Sequence, residues 1–211
     1  MEGISTTPTN SKTLNVYITV VFLAVCITPF TNQLDFIAGW QDPSAHKTVM
    51  FFQFFSDSIS FISFGVPLIF TLVKVSKSNA NKKQVLLSFL YVVLSIAVAG
   101  LVSRIIKETV AEPRPYEVDS RIMQLSVGGG YSMPSGHTTE AFASAMAMAL
   151  LIPEWFVILP LFSWAMLVGA SRIYLGVHYP FDISVGMLIG SSSSILFFKF
   201  LYKKYKWDSL R

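Results

Sequence analysis

Hydrophobic and polar positions are sorted along this chain into long blocks, with charged residues gathered at or near the block ends. Six apolar stretches stand out, at residues 14–30, 59–75, 85–106, 138–152, 155–175 and 181–201. A bilayer core is crossed by about 20 helical residues, so each stretch predicts a transmembrane helix, the first, second and fourth being short by that measure. The fourth lies between His137 and Pro153, and either ends there as a short span or continues past its proline. Residues 31–58 hold Leu34, Phe36, Ile37 and Trp40, then the run from Val49 to Phe55; they are too interrupted to span. Their aromatic content predicts an interfacial helical segment. The fold class is all-α: an integral membrane bundle of six transmembrane helices with an interfacial helical segment between the first and second spans.

Composition supports a lipid-embedded chain. Of 211 residues, 53% are hydrophobic and 13% charged, against about 25% charged in soluble domains. Residues 1–13 are rich in Ser, Thr, Asn and Pro without apolar period, and predict a disordered cytoplasmic tail. A six-span domain follows at residues 14–202, then a basic cytoplasmic tail at 203–211. Cys26 is the only cysteine, which excludes an internal disulfide and a Cys-rich metal site. The sequence Leu23-Ala24-Val25-Cys26 faintly resembles a lipoprotein box, but Val25 is large and only Lys12 precedes it, so Cys26 reads as a buried thiol.

The net charge of +4 is not arranged as a basic stripe with interleaved aromatics, so no nucleic-acid partner is expected. It serves topology instead. Lys12, then Lys74, Lys77, Lys82 and Lys83, then Lys199, Lys203, Lys204, Lys206 and Arg211 fall on one side of six spans. The positive-inside rule makes that side, with both termini, cytoplasmic. Arg104, Lys107, Arg114 and Arg121 break the rule on the outer face, where an anion site would account for them.

Three polar clusters share that outer face: Lys107 with Arg114-Pro115, Pro134-Ser135-Gly136-His137, and Ser171-Arg172 with His178 and Asp182. Taken singly, each cation is matched by interfacial snorkelling. Together they would repel one another unless they hold an anion such as a phosphate dianion, to which Arg offers a planar fork and Lys a point charge. In the second cluster, Pro suits the first turn of a helix and Gly a close backbone approach. Free N–H groups at that helix start make a phosphate cradle, with Gly128-Gly129-Gly130 as a flexible approach. The helix dipole disfavours the charged form of His137 unless a bound phosphate compensates. His178 and Asp182 are four apart. In a helix they face each other, and the carboxylate fixes the imidazole tautomer, leaving the other nitrogen as nucleophile or base. For the pair alone, a structural hydrogen bond fits equally well, and Pro180 between them makes the turn irregular. The acidic residues nearby (Glu108, Glu112, Glu117, Asp119) have no His at ligand spacing, so no metal site is expected. His46 reads as an ordinary surface residue.

Read together, these three clusters resemble the three-part signature of the type 2 phosphatidic acid phosphatase superfamily, in order and with its internal spacings. The resemblance covers nearly all of the chain after residue 13, and the six-span layout is similar to the family's membrane branch. It implies a metal-independent, cofactor-free phosphatase with a phosphohistidine intermediate and a lipid phosphate as substrate. By that resemblance His178 attacks phosphorus, Asp182 holds its ring, and His137 protonates the leaving oxygen. Lys107, Arg114, Ser135, Gly136 and Arg172 hold the phosphoryl oxygens. The expected setting is a bacterial inner membrane with the site facing outward. Candidate substrates are undecaprenyl pyrophosphate, phosphatidylglycerophosphate, phosphatidic acid and lipid A, with Arg121 a candidate contact for a second phosphate or headgroup. Two other readings remain: a non-catalytic lipid binder or transporter, and a vanadate-dependent haloperoxidase, whose relatives are soluble. Residues 31–58 fit either a lid for a lipid or a plain cover over the bundle. The sequence sets no oligomeric state.

Overall fold

A computed structural model describes Thr28, residues 32–76 and residues 82–205. The expected first span, the tail at 1–13, Cys26 and residues 206–211 lie outside the described residues. What is described is helical and contains no strand: α1 Gln33–Trp40, α2 His46–Asp57, α3 Ile59–Val75, α4 Lys82–Val110, α5 Pro115–Val118, α6 Gly136–Leu151, α7 Trp155–Tyr174 and α8 Pro180–Tyr205. Three of the helices (α4, α7 and α8) are long and apolar enough to cross a membrane. The α2–α3 pair, bent by 48°, makes a fourth candidate if taken as one span.

Element limits follow local chemistry. Asn32 caps α1 by accepting the Asp35 N–H at 3.4 Å. Helix α6 stops at Leu151, with Ile152 as its C-cap, because the residue before Pro153 is turned away from helical backbone. It is therefore a short helix of 16 residues that does not continue past its proline. Helix α8 runs four residues beyond the expected limit of 201, into the stretch expected as a tail. The helical segment expected at the interface holds two helices, and the second feeds directly into α3 through Ser58. That elbow is fastened: Ser58 Oγ donates to Phe55 O at 2.8 Å and accepts Trp164 Nε1–H from α7 at 3.0 Å.

The bundle buries an apolar core and also exposes apolar residues on its outer surface. On α4 the exposed stripe is Leu86, Leu90, Leu94, Leu101 and Ile105, while Ser88, Ser95 and Ser103 are buried. Lipid covers the first set; Ser88 and Ser95 satisfy themselves on backbone, donating to Val85 O at 2.6 Å and Tyr91 O at 2.8 Å. Helix α6 is the axis, packed against α3, α4, α7 and α8 and buried continuously from Ala141 to Leu151. Its alanines let neighbours approach closely. Gly190 of α8 shows how closely: a Cβ there would overlap Thr139 O and Ala143 N. Helices alternate in direction, so the start of α6, the ends of α4 and α7 and the start of α8 meet at one end.

The inner faces of α1 and α2 dock on the end of α7. The Phe52 and Tyr174 rings stack at 4.4 Å, and Trp40 meets both edge-on at 5.5 Å. Their outer faces leave Phe36, Met50, Phe51 and Phe54 exposed.

Candidate active site

The site begins where α7 turns into α8. Gly176 takes φ of 76°, and a Cβ at this position would overlap Met123 O. Only glycine fits there, and the turn carries His178 back until its N–H reaches Arg172 O at 3.2 Å. Pro180 starts α8, where its fixed φ suits the first helical position. Asp182 reaches back to accept the Tyr179 N–H at 2.9 Å with Oδ2, in the manner of a capping-box acid. The same oxygen meets His178 Nδ1 at 3.1 Å and accepts the Ser132 hydroxyl at 2.5 Å. The pair therefore forms as expected, for a different reason: His178 lies ahead of the helix, and cap geometry brings the two together.

With Nδ1–H given to Asp182, the lone pair of His178 is on Nε2. That nitrogen faces Arg114, with Nη1 3.4 Å away. Burial, then the charges of Arg114, Arg172 and Lys107, pushes the His178 imidazole well below its ordinary value of 6.5. A neutral imidazole with its outer nitrogen turned to cations has the form of a nucleophile or base.

Each expected cation is present, held by oxygen atoms. Lys107, in the last turn of α4, donates to Tyr131 O at 2.5 Å and Ser132 O at 2.9 Å. Arg114 is 3% exposed and donates to Gly130 O at 2.9 Å, Gly129 O at 2.9 Å and Val177 O at 2.7 Å. The triple glycine is thus a clasp for Arg114, whose guanidinium lies 3.0 Å from where a Cβ on Gly128 would be. Arg172 donates to the Ser56 hydroxyl of α2, to Ser126 Oγ at 3.1 Å and to Val127 O at 3.0 Å. Carbonyl and hydroxyl dipoles thus offset the mutual repulsion of the cations.

Ser135 is the N-cap of α6, fully buried, its Oγ accepting Thr138 N–H at 3.4 Å and Thr138 Oγ1–H at 2.9 Å. Pro134 therefore precedes the helix rather than occupying its first turn. Gly136 and His137 open α6 and carry N–H groups that a helix start leaves without intrahelical partners. The Ser135 N–H donates to Asp182 O at 3.2 Å, joining the starts of α6 and α8. His137 shares electrostatic surroundings with Arg172, His178 and Arg114.

All eight expected site residues thus belong to one end of the bundle. Sequence reasoning missed Ser132, Ser56 and Ser126, which hold Asp182 and Arg172. Arg121 is exposed and ion-paired to Asp35 of α1 at 2.7 Å and Asp119 at 2.6 Å. His46 is the first residue of α2. Among the described residues, no group of three His, Cys, Asp or Glu side chains is gathered that could hold a metal.

Fold and site together define an integral membrane protein with a buried histidine–aspartate pair beside three cations at one end of a helical bundle. The chain belongs to the PAP2 superfamily, which matches residues 88–206, more than half of its length. It is 35% identical over 105 residues to the undecaprenyl-diphosphatase of Sulfolobus acidocaldarius, covering 49% of this chain and 50% of that protein. It is 29% identical over 153 residues to the lipid A 1-phosphatase of Rhizobium etli, covering 67% of this chain and 65% of that one. The chain thus spans about half to two thirds of the length of these curated relatives. Among solved structures, Aquifex aeolicus LpxE superposes with a TM-score of 0.66 at 25% identity, over 82% of this chain and 98% of that one.

Proposed function

We propose that the chain is a metal-independent membrane phosphatase acting on a lipid phosphate or diphosphate through a phosphohistidine on His178. The observation that carries this reading is His178 itself: Nδ1 is anchored on Asp182 at 3.1 Å while Nε2 is turned to Arg114 at 3.4 Å. Lys107, Arg114 and Arg172 receive the phosphoryl oxygens, together with the Gly136 N–H and the Ser135 hydroxyl hydrogen. Nε2 attacks phosphorus in line; the phosphorus–oxygen bond to the lipid breaks, and His137 gives its proton to the leaving oxygen. Water then attacks the phosphoryl group, His137 takes the water's proton, and the nitrogen–phosphorus bond breaks. Inorganic phosphate leaves, and His178 is neutral again.

The six-span layout takes α3, α4, α6, α7 and α8 as five of its spans, α8 running on to Tyr205; the span expected at 14–30 lies outside the described residues. The alternating helices and the lysine distribution support an outward-facing site in a bacterial inner membrane. The relatives' names support polyprenyl diphosphate or lipid A phosphate as the substrate class, with phosphatidylglycerophosphate and phosphatidic acid as further members of the test panel.

The test is phosphate release by purified protein on that panel, with a chelator present. Wild type is expected to release phosphate and His178→Ala to lose release. Full activity in His178→Ala would sink the mechanism, and loss of wild-type activity to chelator would sink metal independence.

A further inference from the structure

Glu112 has no part in the steps above, yet it is built into the site. Ala111, at φ of 51°, ends α4 in left-handed backbone, and Pro113 disfavours helical backbone at Glu112. The Glu112 carbonyl accepts the Ser132 N–H at 2.7 Å, from the residue whose hydroxyl donates to Asp182. Ser132 thus bridges the Glu112 backbone to the Asp182 side chain, and the two carboxyls are near enough to act on each other electrostatically. Glu112 Oε2 and Asp182 Oδ1 are both buried, and neither receives a hydrogen bond from any described donor.

Two ionised carboxylates can only accept, and buried side by side they repel. One shared proton removes both difficulties, because it turns one carboxyl into a donor for the other. The opposite oxygen of Asp182 decides where the proton resides. Oδ2 is already the target of His178 Nδ1, Tyr179 N–H and the Ser132 hydroxyl, and three donors favour charge on Asp182. Glu112 has no comparable set.

We infer that Glu112 is a positioning residue, a protonated carboxyl that donates to Asp182 and holds the Asp182–His178 pair at a single negative charge. The inference rests on the phosphatase reading for its consequence. Lys107, Arg114 and Arg172 supply three positive charges, so one negative charge on the carboxyl pair leaves two for a phosphate dianion to balance. A second ionised carboxylate would leave the loaded site negative and oppose phosphate binding.

The experiment compares full-length wild type, Glu112→Gln and Glu112→Ala. The infrared difference spectrum of wild type minus Glu112→Gln should contain a carboxylic-acid C=O band that shifts in D2O, a readout independent of turnover. In phosphate release from a lipid phosphate, Glu112→Ala should lower kcat about 10- to 100-fold with KM within about 3-fold. Glu112→Gln, whose amide N–H replaces the carboxyl O–H as donor, should recover most of that loss. The inference is overturned by absence of the acid band, by Glu112→Gln as slow as Glu112→Ala, or by a wild-type kcat in Glu112→Ala. If Glu112→Ala does not fold, the infrared band and the Glu112→Gln kcat decide. If the wild type releases phosphate from no lipid, the function reading fails, and the band still tests the shared proton.

Discussion

Replacing Asp182 by Asn tests the site at its hinge. The side chain has two unlike faces: Oδ2 meets His178 Nδ1, Tyr179 N–H and the Ser132 hydroxyl, while Oδ1 is turned away from those donors. An amide has one acceptor oxygen and one NH2 donor. Ser132 can rotate its hydroxyl to suit either, but the Tyr179 N–H is fixed by backbone, and facing it with NH2 would cost about 1–3 kcal/mol. The amide oxygen therefore stays at the Oδ2 position and the NH2 turns toward Glu112, whose carbonyl oxygen can accept it. The His178 tautomer survives, with Nε2 still bearing the lone pair, and only the charge is lost. A hydrogen bond to an ionised acceptor contributes about 1.5–3 kcal/mol against about 0.5–1.5 for a neutral one. The difference corresponds to roughly 10-fold in kcat, and to at most about 100-fold once positive charge develops on the ring as the nitrogen–phosphorus bond forms. The opposite amide orientation would move the proton to Nε2 and abolish the nucleophile; in the serine-protease triad that misplacement costs about 10⁴-fold. The assay is kcat for phosphate release, with 15N-histidine NMR of the same variant reporting the tautomer. A loss near 10⁴-fold with an Nε2–H signal, or no loss, refutes the reasoning.

Two further outcomes follow from packing and charge. Gly190→Ala should lower stability by about 1–3 kcal/mol or more, because its methyl overlaps the Thr139 and Ala143 backbone of α6; an unchanged thermal midpoint in detergent would contradict the α6–α8 contact. His178 should titrate below its ordinary 6.5 in the ligand-free protein, from burial first and then Arg114, Arg172 and Lys107. Between the folded value and 6.5 the unfolded chain binds the extra proton, so stability falls as pH drops through that window. A 13C-histidine signal missing from His178→Ala should show the low midpoint, and one at or above 6.5 counts against it.

The chemistry-bearing residues were legible because their types and spacings are local. His178 and Asp182 are four apart, and the Ser135 cap sits directly before its helix. The candidate spans α4, α7 and α8 were legible for the same reason, since blocks of apolar residues report lipid. What holds the site together is not local. Ser132 and Asp182 are separated by 50 positions and Arg172 and Ser56 by 116; no periodicity links them. The glycines at 128–130 read as a flexible approach because their chain geometry is visible in sequence, whereas the guanidinium they clasp is not. Cations that read as waiting for an anion are held by carbonyl groups, which every residue carries and no sequence pattern marks. The elbow at Ser58 was hidden too, because α2 and α3 are each shorter than a span.

Helix α6 never meets lipid over the stretch from Ala141 to Leu151, and this bears on biosynthesis. Its alanines, threonines and Glu140 give it little tendency to partition into a bilayer alone. Its place in the bundle is secured by α4, α7 and α8 around it, so its placement has to be coupled to assembly. The three-residue link of Ile152, Pro153 and Glu154 ties α6 to α7 as a hairpin. The helix that carries His137 is therefore fixed in place only when the bundle closes. A chain halted before α7 and α8 would lack both His178 and the neighbours that keep the start of α6 in place.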